Sequence, residues 1–300
     1  MALKLKKKES PNFGFVRLGN SISVQAGKLA HKGNQATTEE IHDMRLLIKR
    51  LRSLFRLIRE VTDTQICKEE NKNLRAASKE LAPFREFDVR KETIEWIFTQ
   101  TKNKFLCSTL KPFKKNRKKK LQKPNGSLSQ SLRNCSLQLN QSVQVLEELP
   151  WQAVGWYVLE PGLSRSYRRA RKAYLKVLQD SKAEDFHQWR MKVKDLMYQM
   201  EFISEMSPKH LNSMRKKLKK LSSILGRDHD LCDFKKFLQS QTLGIKRRIS
   251  YGSTKEELSK EIDLLRWKAR KKGRKIFKER TGTWLSEIKK FWFQWKKKAA

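Results

Sequence analysis

IHDMRLLIKRLRSLFRLIRE, residues 41–60, carries six Arg or Lys among twenty residues, yet its apolar positions are strictly ordered. Ile41, Met44, Ile48, Leu51, Phe55 and Ile58 step by three and four, a seam that only an α-helix brings onto one face. His42, Arg45, Lys49, Arg52 and Arg56 step in the same way, about 100° around the helix from the seam. A buried stripe is therefore flanked by a row of cations. Like charges four apart oppose helix formation by about 0.2–0.5 kcal/mol per pair, so the row needs a reason.

The same design recurs downstream. A shift of 145 residues places His42 on His187, Arg45 on Arg190 and Lys49 on Lys194, and Phe186, Trp189, Val193, Leu196, Met200 and Ile203 repeat the seam. A shift of 142 places Arg85, Asp88 and Val89 on Arg227, Asp230 and Leu231. A third seam runs through Leu211, Met214, Leu218, Leu221 and Leu225. Gly is 12 and Pro 7 in 300 residues, and alternating strand patterns are essentially missing. The expected fold class is all-α: two pseudo-symmetric four-helix bundles packed as one unit. Thr37-x-x-Glu40 and Ser181-x-x-Glu184 have capping-box spacing, Ser207-Pro208 reads as an N-cap followed by Pro at the first helical position, and Thr254-x-x-Glu257 reads as the start of the last long helix. Residues 1–24 read as a flexible basic N-terminus, 25–158 as the first bundle and 159–300 as the second. KPFKKNRKKKLQKPNGSLSQ, residues 111–130, reads as a Lys-rich loop, and LEPGLS at 159–164 as a break.

Lys+Arg number 69 against 31 Asp+Glu, a formal net charge of +38. That excess opposes compaction by self-repulsion unless an anionic partner relieves it. Cys67, Cys107, Cys135 and Cys232 form no CxxC pair, which fits a reducing, cytoplasmic setting and suggests neither a zinc ribbon nor a disulfide framework. The basic N-terminus has no apolar run behind it, so it does not read as a signal peptide. No stretch reads as a membrane span, and the seams read as bundle cores rather than as a membrane-binding face.

Further basic rows join the first. Arg165, Arg168, Lys172 and Lys176 share a face, with Arg169 and Arg171 nearby. Arg266, Arg270 and Arg274 share another, where Ala269 and Gly273 form a small-xxx-small pair suited to close helix approach. MRKKLKKL at 214–221 adds Lys217 and its neighbours.

The HxxRxxxK pattern opening a basic helix in each half, REFDV at 85–89, LGRDHDL at 225–231 and SYRRARKAY at 166–174 together resemble the CHAD domain, the conserved histidine α-helical domain. The resemblance runs from about residue 25 to the end. It implies two four-helix bundles around a basic central cavity, binding of inorganic polyphosphate and no catalysis. Some members carry a CYTH triphosphate-tunnel domain in front. No ExExK motif occurs here, so the chain reads as a stand-alone copy.

On the sequence, the polyphosphate-binding residues expected in the first half are His42, Arg45, Lys49, Arg50, Arg52 and Arg56. In the second half they are Arg165, Arg168, Arg169, Lys172, His187, Arg190, Lys194, Lys217, Arg266, Arg270 and Arg274. Arg grips phosphate oxygens bidentately and Lys supplies compact charge. Recruitment to polyphosphate bodies is compatible with this reading. No cofactor is expected. Asp228-His229-Asp230 looks like a ligand cluster, but a metal site needs three or four convergent ligands, and a cationic surface opposes a divalent cation. Nucleic acid is the alternative partner. Charge favours it, while zinc-finger spacing, a helix-turn-helix signature and RNP aromatics are missing. FWFQW at 291–295 could stack on bases, though aromatics beside helical lysines more often pack.

Overall fold

The computed structural model describes residues 3–100, 127–179, 182–240 and 245–297. They form an all-α structure, and among them no residue lies in a strand. The helices are α1 (Pro11–Ala30), α2 (Thr38–Ile58), α3 (Thr64–Glu80), α4 (Ala82–Gln100), α5 (Leu128–Glu148), α6 (Glu160–Gln179), α7 (Ala183–Phe202), α8 (Pro208–Ser240), α9 (Ile245–Ile276) and α10 (Thr281–Lys297).

The seams decide the packing. All six seam residues of α2 are buried, as are the five of α7 and Ile203 just past its end, most of them completely. A single core cluster takes in both seams together with Leu18 and Ile22 of α1, Leu74 of α3, Leu139 of α5, Tyr167 of α6 and Leu221 of α8. Helices α1, α2, α3 and α5 pack on one another, and so do α6, α7, α8 and α9, while α2 lies against α6 and α7. The close approach of α6 to α2 depends on Gly162, where a Cβ would lie 1.8 Å from the Leu57 carbonyl oxygen. Gly273 serves α9 similarly: a Cβ there would lie 2.6 Å from the Tyr174 ring. Ala269 is fully buried, so the expected small-xxx-small contact is present.

The halves differ in one instructive way. Helix α8 runs for 33 residues without interruption. The stretch that the internal offset aligns with it is split into α3 and α4 at Leu81. Pro83 accounts for the split: it has no N–H to donate, and its ring displaces the carbonyl four residues back. The redirected α4 reaches α8. There Ile94 and Ile97 join Leu231, Phe234, Leu238, Leu258, Ile262 and Leu265 in a second core cluster.

Three expectations are corrected. The flexible terminus expected over 1–24 is not found in its described residues, 3–24: Leu3 and Leu5 are buried, the Leu5 N–H donates to the Phe202 carbonyl, and α1 begins at Pro11 with Ser10 as its cap. Thr254 does not open a helix, because α9 starts at Ile245 and runs through it. The break at 159–164 lies earlier, since α6 begins at Glu160. The expected Ser181 box involves a residue outside the described ones; Lys182 stands at the N-cap position of α7 and makes no side-chain cap hydrogen bond. The Thr37 capping box is formed in full: the Thr37 N–H donates to Glu40 at 2.8 Å and the Glu40 N–H donates to Thr37 Oγ1 at 3.2 Å. Pro208 is the first residue of α8. Of the Lys-rich stretch 111–130, residues 111–126 lie outside the described residues, and Ser127 caps α5.

Candidate anion-binding site

The cationic rows of α2 and α7 face each other, because the seams beside them pack the two helices together. Lys49 is the centre. Burial pushes its amine down to about 6, helped by the charges of Lys194, Arg45, Arg190 and Arg52. Lys194 is pushed down to about 8 by burial and by Arg190 and Arg45, with Asp230 of α8 opposing. At one end, His42 is held below its ordinary value by burial, Lys49 and Arg85 of α4. At the other, Arg52 is lowered by burial and by Arg56 and Arg75 of α3.

These cations are short of partners. Arg45 donates to the Ser78 carbonyl at 2.6 Å, a neutral acceptor. Arg52 Nε and Arg190 Nε are buried without a hydrogen-bond acceptor. Among the described residues, no carboxylate lies within ion-pair distance of Lys49, Lys194, Arg52, Arg190 or Arg45. A cation drawn out of water without a close counter-ion is costly, and the five of this cluster are all half-buried.

The other expected site residues divide into two groups. Arg50 is paired with Glu201 at 3.1 Å and Arg56 with Asp195. Arg165 is buried 3.0 Å from Glu60. Arg266 lies 2.8 Å from the buried Asp228 carboxylate and over the Phe186 ring. Arg270 donates to the Val177 carbonyl at 2.9 Å and also lies over the Phe186 ring. These five hold helices together. Arg168, Arg169, Lys172, Lys217 and Arg274 are exposed and form an outer set.

His187 Nδ1 lies 3.3 Å from His229 Nδ1, and His229 Nε2 lies 3.3 Å from Asp233. Burial pushes His229 down to about 4, with Arg190 adding to the effect and Asp233 opposing it. Asp228, His229 and Asp230 diverge: Asp228 turns to Arg266, His229 to His187 and Asp233, and Asp230 toward Arg190 and Lys194. Among the described residues, no three His, Cys, Asp or Glu side chains come together to hold a metal ion.

Sequence reasoning missed Arg85, Arg75, Lys192 and Arg227, the last of which acts on Asp230. Lys192 is lowered by burial and by Arg169, and it links the α7 face to the outer set. Arg85 and Arg227 stood in the quoted segments and matched under the 142-residue shift, a signal that was available. Arg75 had no such mark. In FWFQW, Trp292 is buried against Trp156 and Trp295, while Phe293 is exposed.

The CHAD domain family model matches residues 25–239, most of the chain, and the chain belongs to the CHAD family. A solved structure described as the CHAD domain from the plant Ricinus communis superimposes with a TM-score of 0.61 at 18% sequence identity, covering 89% of this chain and 93% of that one. At this identity the likeness speaks for the fold. No curated protein matches. No described helix is long and apolar enough to cross a membrane.

Proposed function

We propose that this protein binds inorganic polyphosphate, without catalysis, through the cations between α2 and α7. The observation that carries this reading is the half-buried cluster of Lys49, Lys194, Arg45, Arg190 and Arg52, with no carboxylate among the described residues within ion-pair distance of it. A phosphate chain supplies what the cluster lacks. Its successive anionic units accept from the orphaned guanidinium N–H groups and from the ammonium of Lys194. The α2 row from His42 to Arg56 spans about 21 Å, so several units are held at once and their weak contacts act together. His42 donates as a neutral ring. Arg168, Arg169 and Lys172 receive the chain where it leaves the cluster toward solvent. A cytoplasmic location and recruitment to polyphosphate granules accord with this role.

Nucleic acid is the second reading, favoured by the net charge of +38. Burial of the cluster between helices weighs against it, because a duplex backbone cannot enter there as a bare chain does. Competition decides between the two. Labelled long-chain polyphosphate is displaced by unlabelled polyphosphate, duplex DNA or RNA at near-physiological salt. Polyphosphate is expected to outcompete both per unit of charge; equal or better displacement by DNA or RNA would establish the nucleic-acid reading instead.

A further inference from the structure

The connection between the two halves turns large side chains both inward and outward. Gly155 sits at φ +59°, in the left-handed region, and opens the short 3-10 turn Gly155–Val158. The turn buries Trp156 and Val158 and leaves Val154 and Tyr157 outside, 75% and 60% exposed. Trp156 packs on Trp292 of α10, with ring centres 6.5 Å apart. The adjacent Tyr157 therefore lies beside the turn of α10 that carries Lys289, whose ammonium is 5.7 Å from the centre of the Tyr157 ring. Phe293 follows Lys289 by one helical turn and is 53% exposed. It lines an open depression of about 440 Å³ together with Ser286, Lys289, Lys290 and Gln294. Two exposed rings thus flank one lysine, with a second lysine at the rim of the depression.

A single exposed ring needs no explanation, but these are neighbours on one surface, and its charge is modest. Lys289 lies 3.8 Å from Glu160, while Lys290 is exposed and has no carboxylate within ion-pair distance among the described residues. A bare phosphate chain gains little from so few cations and nothing from the rings. A ligand that uses every part of this surface has flat faces in series with a negative charge beside each. Single-stranded nucleic acid has that chemistry; in a duplex the base faces are already covered by their neighbours. We propose that Tyr157 and Phe293 form a stacking platform for single-stranded nucleic acid, distinct from the cations between α2 and α7. One base enters the depression and stacks on Phe293, where Ser286 and Gln294 offer hydrogen-bonding groups to its edge. A second base stacks on Tyr157. Lys289 and Lys290 take the phosphates beside them, and Lys289 is also positioned for cation–π contact with Tyr157. None of the α2–α7 cations lines the depression, so this activity stands beside polyphosphate binding and does not rest on it.

The test separates bases from charge. Labelled short strands of uridine or thymidine nucleotides, and an abasic strand of the same length and charge, are titrated with the full chain by fluorescence anisotropy. The titrations run at near-physiological salt, with and without saturating long-chain polyphosphate. The base-bearing strands are expected to bind about tenfold tighter than the abasic strand, and polyphosphate is expected to leave that preference in place. The uridine and thymidine arms tell RNA from DNA as the source of the strand. Tyr157→Ala/Phe293→Ala is expected to abolish the preference while changing polyphosphate affinity by less than about twofold. Tyr157→Phe/Phe293→Tyr, which keeps both rings, is expected to retain it. Equal binding of abasic and base-bearing strands by wild type, or a preference unchanged in the double alanine variant, would overturn the proposal. Loss of the preference when polyphosphate is added would place the bases at the α2–α7 cluster and overturn it too. Base-independent binding together with ring-dependent binding to phosphatidylserine vesicles would assign the surface to a membrane instead.

Discussion

The cations on α2 and α7 and those on α9 look alike as text and have opposite fates. Arg45 and Lys49 are four residues apart, as are Arg266 and Arg270. Arg266 ends against the buried carboxylate of Asp228, and Arg270 against a backbone carbonyl. Lys49, by contrast, ends among other cations. The first kind of row is part of the fold. The second works against it and is held in place by the seams, which bury enough apolar surface beside it to carry the cost. Basic rows are therefore informative about ligand only after their partners are known.

The difference can be broken from the α9 side first, where the largest change in stability is expected. Arg266→Ala leaves Asp228 buried and uncompensated, and should cost about 3–5 kcal/mol by urea unfolding. Polyphosphate affinity of the folded protein should change by less than about threefold, because this arginine is committed to α8.

From the α2 side the sign should reverse. Lys49→Met removes a half-buried, repelled amine, so the free protein should gain about 1 kcal/mol near neutral pH. The pH dependence sharpens this. An amine that titrates near 6 when folded and near 10.5 when unfolded means the unfolded state holds more protons between those values. Stability from this group is therefore lowest below about pH 6 and rises toward pH 10.5, by up to about 1.4 kcal/mol per pH unit. The midpoint of unfolding of wild type should climb from pH 6.5 to 9 more steeply than that of Lys49→Met. Parallel curves would show that Lys49 is solvated.

The smallest effects belong to the outer set. Arg168→Ala with Lys172→Ala should shift stability by no more than about 0.5 kcal/mol. It should weaken polyphosphate binding a few-fold and lower the salt dependence by about one unit for each contact removed.

The seams of α2, α7 and α8 were legible in the sequence because period 3.6 depends only on near neighbours. The Thr37 box and the Gly273 contact were legible for the same local reason. Helix α1 was not, although Phe15, Leu18, Ile22 and Ala26 have helical spacing and are fully buried. Its three glycines, Gly14, Gly19 and Gly27, and its polar residues mask the pattern, and its surroundings are basic. Partner assignment was invisible for a different reason. The carboxylates that hold Arg266, Arg56 and Arg50 lie 38, 139 and 151 residues away along the chain. Only tertiary packing decides which arginines they reach, so the sequence could mark every basic row and still not separate the paired from the unpaired.

The most direct measurement compares Arg45→Met/Arg190→Met with Arg168→Met/Lys172→Met in a displacement titration of labelled long-chain polyphosphate at near-physiological salt. Each double variant removes two positive charges, and circular dichroism checks that both stay helical. Two lost charge-assisted contacts of about 1.5–3 kcal/mol each should weaken the inner variant by a factor of about 100 or more, against a few-fold for the outer one. Equal losses in the two would mean that polyphosphate reads total charge on a diffuse surface, and would contradict a site built from the unpaired cations between α2 and α7.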